Sequence, residues 1–179
     1  MFDRTRLNVG VVIARLHFRK TRDPIVQFTN AISRARKALI LWPESAAEAP
    51  YVQSILRSLS QRLGASALHI LVRKDLAKFV TGSPTGPVMT YDKEDINAWF
   101  LPRKGLLQKV KKGTFDVVVD LNVRFALPSA VLCKETQAPL RVSFGKPHAD
   151  VFYNLQIQTS ETGSTINAYK NLLRCLEMF

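Results

Sequence analysis

Little in this 179-residue sequence advertises a reaction. Cysteine is scarce: Cys133 and Cys175 stand far apart in apolar, helix-like contexts. They read as small core hydrophobes of a reducing compartment, not as a disulfide or a metal site. The three histidines fall in three separate elements and make no ligand set, so no metal and no cofactor is implied. A Gly-x-Ser-x-Gly run, which would mark a hydrolase nucleophile, is absent. The stretch Thr81-Gly82-Ser83-Pro84-Thr85-Gly86-Pro87 has glycines but no lysine at the required spacing, so it is a plain loop and not a phosphate cradle. RNA-binding signatures and aromatic stacking platforms are missing. No apolar run approaches the roughly 20 residues of a membrane span, and no apolar core with a cleavage site opens the chain. A cytoplasmic protein is expected, with a peripheral place on the inner face of the membrane as an option.

Acids are scarce as well: 14 against 26 basic residues, a net charge of +12. The imbalance is uneven, since residues 1–40 carry nine Lys/Arg against two acids, residues 41–100 six against six, and residues 101–179 eleven against six. Such a field suits an anionic partner: the ribosome or another nucleic acid, anionic lipid, or a phosphorylated sugar. A protein partner is compatible with it too. Two segments concentrate the charge. Around residues 5–20, Leu7, Val11, Val12, Leu16 and Phe18 suggest one apolar stripe among Arg4, Arg6, Arg15, Arg19 and Lys20. Such a helix either packs on the domain or lies on a lipid surface, and Gly10 weakens it as an isolated helix. The second segment is a helix over residues 103–112, with Leu106, Leu107 and Val110 inward and Arg103, Lys104, Lys109, Lys111 and Lys112 outward.

What is abundant is alternation of apolar runs with helical periods. Phe115-Asp116-Val117-Val118-Val119-Asp120-Leu121-Asn122 lacks polar alternation and reads as a strand buried on both faces. Further strands are expected at residues 37–42, 67–72, 88–91, 140–145 and 152–158, with His69 half-buried in the second. Helices are expected from Asp23-Pro24 to Arg36, over 51–63, over 127–137 with Cys133, and over 162–178 with Ile166, Tyr169, Leu172, Leu173 and Leu176 inward. Trp99 and Phe100 read as core anchors of a connector. This order predicts an α/β fold: one doubly wound, mainly parallel sheet of about six strands with helices on both faces, preceded by N-terminal helices. The expected division is a basic helical extension over 1–36 and a Rossmann-like domain over 37–179.

In such sheets ligands collect beyond the carboxyl ends of the strands. The candidates there are Glu44, Ser45, Arg73, Asp120, Asn122, Arg124 and Lys146, with Arg73, Arg124 and Lys146 supplying positive charge. Asp120 or Asn122 could instead cap the next turn, a role worth about 1 kcal/mol. His148-Ala149-Asp150 offers His148 as a base beside a carboxylate, without a nucleophile of characteristic context.

The run Phe115 to Asn122, the helix with Ser129-Ala130 and Leu132, and Ala138-Pro139-Leu140-Arg141-Val142-Ser143-Phe144 together resemble the N-terminal domain of glycosyltransferase family 9. These are the heptosyltransferases of lipopolysaccharide assembly. The resemblance covers about 110 residues, and residues 37–80 follow it loosely. It implies a Rossmann-like half of a GT-B fold and a short bacterial relative. The family carries a second Rossmann-like domain that binds most of the sugar-nucleotide donor, whereas this chain corresponds to the first. In the family a glycine-containing loop after the first strand holds an aspartate base. Pro43-Glu44-Ser45-Ala46-Ala47-Glu48 stands there instead, with Glu44 as the candidate substitute. The expected function is a non-catalytic or degenerate glycosyltransferase-like domain that binds an anionic ligand or a macromolecular partner. Alternatives are an acceptor-binding subunit of a heptosyltransferase-like enzyme, and a basic nucleic-acid-associated or membrane-surface protein.

Overall fold

In the computed structural model, residues 2–21, 23, 31–80, 86–158 and 164–178 are described. Six short aliphatic runs form one parallel sheet in the order β3-β2-β1-β4-β5-β6. The strands are β1 (Ala38–Leu41), β2 (Leu68–Arg73), β3 (Val88–Tyr91), β4 (Val117–Asp120), β5 (Leu140–Phe144) and β6 (Leu155–Ile157). In β1, β4 and β5 every residue is buried. That is why β1 and β4 show no apolar/polar alternation: both faces of a central parallel strand meet helices. In β5 the polar Arg141 and Ser143 alternate with apolar residues but are buried and hydrogen-bonded to carbonyls.

The helices are α1 (Phe2–Phe18), α2 (Ala49–Leu63), α3 (Lys104–Lys111), α4 (Leu127–Glu135) and α5 (Thr165–Met178). One face of the sheet (Ile40, Ile70, Val119, Val142) packs on α2 and α5 through Val52, Ile55, Leu56, Leu172 and Leu176. The other face (Leu39, Leu71, Val118) packs with α1, α3 and α4. The fold is thus the doubly wound α/β layer expected from the alternation. Gly64, at φ +82°, stops α2 in a conformation that side chains resist. Arg62 on α2 caps the neighbouring helix by donating to the Leu176 and Glu177 carbonyls at 2.5 and 2.6 Å.

Several expectations changed. The single apolar stripe on α1 divides in two. At about 100° per residue, Leu7, Val11 and Phe18 turn toward the core, and Val12 and Leu16 turn away from it. Trp99 is not a core anchor: it is exposed, while Phe100, at φ +59°, packs against the second core cluster. Ile166 is exposed on α5. The expected helix from Pro24 falls on residues outside the described ones as far as Asn30, and residues 31–34 form a turn. The loop Thr81–Thr85 and the expected start of the last helix at Thr162 also lie outside the described residues. Cys133 and Cys175 are free and buried, as small core residues.

Gly10 has a packing reason to be glycine. A Cβ there would sit 2.1 Å from the Trp99 carbonyl oxygen and 2.7 Å from Leu127 Cδ2. Helix propensity alone favours alanine by about 1 kcal/mol. The clash with backbone should reverse that sign, so Gly10→Ala is expected to lose about 1–3 kcal/mol as overpacked cores do. Denaturant unfolding measures it; a more stable variant would contradict this docking of α1.

Candidate functional site

The strand order reverses between β1 and β4, and the chain leaves their carboxyl ends toward opposite faces of the sheet. A crevice forms at such a point. The motif Phe115–Asn122 ties the two strands together at both ends. At the amino edge, Asp116 Oδ2 accepts the Arg36 and Lys37 amides at 2.8 and 3.1 Å. At the carboxyl edge, Asn122 Oδ1 accepts the Glu44 amide at 2.8 Å.

Asp120 lies behind this crevice, fully buried. Its Oδ1 accepts from the Asn122 amide (3.1 Å), Asn122 Nδ2 (2.7 Å) and Ser129 Oγ (3.0 Å). Its Oδ2 accepts from Lys146 Nζ (3.0 Å) and from the Tyr153 hydroxyl. Lys146 Nζ also donates to the Asn122 carbonyl at 2.7 Å. Burial by itself raises a carboxyl pKa. Here the Lys146 ammonium, the Tyr153 hydroxyl and the Asn122 donors outweigh it and hold Asp120 below its ordinary value. Asp120, Asn122 and Lys146 are therefore brought together, but they satisfy one another.

In front of the network, an open cleft of about 320 Å³ runs over the ends of β1, β2 and β3. Glu44, Arg73, Tyr91, Lys93, Asn97 and Phe100 line it. Arg73 forks onto Asp75 through Nε (2.6 Å) and Nη2 (2.9 Å). Lys93 is exposed on the short turn after β3. Asn97 uses Oδ1 on the Trp99 and Leu101 amides at 2.9 and 3.0 Å, which leaves its NH2 for the cleft. Glu44 is open to water at the rim, yet protein around its carboxyl raises the pKa by desolvation. Arg73 opposes that shift, Asp120 adds to it, and Lys146 opposes it.

A second recess of about 320 Å³ lies on the other side of the switch point, lined by Ser45, Glu48, Tyr51, Arg124 and Thr165. Tyr169 stands beside it, 2.6 Å from the Leu121 carbonyl and 2.9 Å from Glu48 Oε2. Burial raises the Glu48 pKa against the lowering influence of the Tyr169 hydroxyl, the Val123 amide and Arg124.

The structure thus sorts the candidates into three sets. Glu44 and Arg73 share the cleft, Ser45 and Arg124 share the second recess, and Asp120, Asn122 and Lys146 form the buried network. His148 belongs to none of these. Its Nδ1 accepts from Arg15 at 3.0 Å and its ring packs edge-on to Phe125. Among the basic residues of α3, Lys111 pairs with Glu135 at 2.6 Å, and Arg103, Lys104, Lys109 and Lys112 are exposed. Among the described residues no three His, Cys, Asp or Glu side chains are placed to hold a metal ion. Tyr153, Asn97 and Lys93 carried no signal in the sequence, since each comes from a turn or loop whose return to the sheet edge no local pattern specifies. Tyr169 was read as an inward residue of the closing helix, without its partners Leu121 and Glu48.

No protein-family model matches the sequence, and no curated protein matches it. Solved structures match the fold. A glycosyl transferase family 9 protein from Veillonella parvula superposes with a TM-score of 0.62 at 14% identity, over 80% of this chain and 42% of its own. The heptosyltransferase WaaC of E. coli, solved with ADP, superposes at 0.58 and 15% identity, over 76% of this chain and 45% of its own. The chain has the Rossmann-like fold of a domain of these glycosyltransferases, and it spans less than half the length of either.

Proposed function

We propose that this chain is a glycosyltransferase-like domain that binds a phosphorylated sugar or sugar nucleotide in the Glu44–Arg73–Phe100 cleft without completing a transfer by itself. The observation that carries the reading is the composition of that cleft. Arg73 and Lys93 supply positive charge, Phe100 and Tyr91 an apolar wall for a sugar ring, and Glu44 and Asn97 hydrogen-bonding groups for hydroxyls. Asp75 takes the Nε and Nη2 edge of Arg73 and so prepositions the guanidinium, and a phosphate would approach its remaining Nη1 edge. The weak side of catalysis is equally concrete. The Asp120 carboxylate and Lys146 ammonium are spent on each other, and Glu44 alone remains as a base with a raised pKa.

Calorimetry and thermal shift with sugar 1-phosphates and with ADP- and UDP-sugars test this. Stabilisation at millimolar ligand is expected, weakened about tenfold in Arg73→Ala, the equivalent of one charge-assisted hydrogen-bonded contact. If neither ligand class stabilises the protein, or if Arg73→Ala binds as well as the parent, the cleft is not the site. Sugar transfer that is lost in Glu44→Gln would instead make the chain a working transferase.

A further inference from the structure

We infer that the outward face of α1 docks on an anionic lipid bilayer. This does not depend on what the cleft binds. Helix α1 is apolar on two opposite sides. Gly10, Val11, Ala14 and Phe18 are buried against the domain. The opposite side presents Phe2 (83% exposed), Val12 (56%) and Leu16 (64%), with Val9 and Ile13 beside them. At about 100° per residue these five fall on one continuous stripe. A solvated helix would carry polar residues there.

The charge around the stripe selects the occupant. Arg4, Arg15 and Arg19 flank it on one side, Arg6 on the other, and Lys20 follows its end; Asp3 is the acid on this helix. Helix α3 packs on the same face of the sheet, sharing a groove with α1 at Ile13, Phe18 and Leu107. Its exposed Lys104, Lys109 and Lys112 extend the positive layer. Apolar side chains between rows of cations suit acyl chains below anionic headgroups. Nucleic acid would use the cations and leave Phe2, Val12 and Leu16 in water. A second copy of the same face would set its cations against these cations.

The inner face of α1 is held independently, so the outer one can be altered without unfolding the helix. Glu135 accepts His17 Nε2 at 2.9 Å, and Gly10 sits against the Trp99 carbonyl.

Sedimentation of the full chain with phosphatidylglycerol vesicles and with phosphatidylcholine vesicles tests the inference. Binding to the anionic vesicles is expected, at least about tenfold tighter than to the neutral ones and weakened by salt. Val12→Asp with Leu16→Glu should abolish it while circular dichroism and melting stay unchanged. Should that variant fail to fold, Arg4→Gln with Arg6→Gln supplies the second arm, with about a fivefold loss per charge removed. Equal binding to neutral vesicles overturns the proposal, as does no binding to the anionic ones or binding that survives loss of the stripe. So does a dimer in solution that the Val12→Asp, Leu16→Glu change disperses, or RNA binding that the same change weakens.

Discussion

Asp120→Ala is expected to lose about 3–5 kcal/mol of folding stability, read as a fall in the denaturant midpoint at unchanged m-value. As a turn cap alone, Asp120 would be worth about 1 kcal/mol. The larger figure follows from what the substitution leaves behind. Lys146, with 3% of its side chain exposed, would keep an ammonium facing a cavity with no counter-ion. The Tyr153 hydroxyl, the Asn122 amide and Ser129 would lose their shared acceptor as well. A second substitution separates these causes. Asp120→Ala combined with Lys146→Met removes both charges, and it should recover a large part of the loss, because a buried pair replaced by apolar groups costs far less than a broken one. A double variant no more stable than Asp120→Ala would mean that the hydrogen bonds, and not the ion pair, hold the crevice together.

The second large effect comes from Asp23. Asp23 Oδ1 lies 2.6 Å from both Lys134 Nζ and Arg141 Nη2. The two cations are nearly inaccessible, with 5% and 1% of their side chains exposed. Arg141 also donates to the Phe152 and Ala138 carbonyls at 2.9 and 2.7 Å, which places it firmly inside the domain. Asp23→Ala leaves both charges unpaired and is expected to destabilise by about 3 kcal/mol, the low end for a broken buried pair because Asp23 keeps contact with water. The same carboxylate predicts a pH dependence. Burial raises its pKa, but Lys134 and Arg141 outweigh that and hold it below the ordinary value of 3.8. A depressed carboxyl contributes stability that is present above pH 3.8 and is lost as pH falls through the folded-state value. Asp120 acts with the same sign. Stability should therefore fall steeply below about pH 4, and less steeply in Asp23→Ala, which has already lost one of the two contributions. Parallel curves for parent and variant would remove Asp23 from the account.

How much of this was legible in the sequence differs by element. The six strands were, the central ones most directly, because a parallel strand covered on both faces is mostly apolar, as Val117-Val118-Val119 is. The edge strands β3 and β6 were read from their β-branched and alternating residues. The helices α2 and α3 were too, since one face of each is apolar at helical spacing. Helix α4 was found but not its surroundings: all nine of its residues are buried, including Lys134 and Glu135. Nothing in the sequence marked these charges as buried. They are inside because α1 and Asp23 cover α4, His17 hydrogen-bonding Glu135 and Asp23 pairing with Lys134, both from more than a hundred residues away. Asp120 was singled out for its place at a strand end. Its actual surroundings depend on Tyr153 and Lys146 returning from β5, which no local pattern records.

The motif Phe115–Asn122 shows both sides of that division. Its apolar centre determined a parallel strand, and so the fold, by local chemistry alone: burial on two faces writes itself into consecutive residues. Its polar ends could not declare their roles, because a carboxylate's role is set by which donors reach it. Only the tertiary structure decided that Asp116 holds the start of β1, that Asp120 is sealed against Lys146, and that Glu44, Arg73 and Lys93 line the open cleft beside it. Hydrophobic pattern is a property of neighbours in sequence, whereas the satisfaction of a buried charge is a property of neighbours in space.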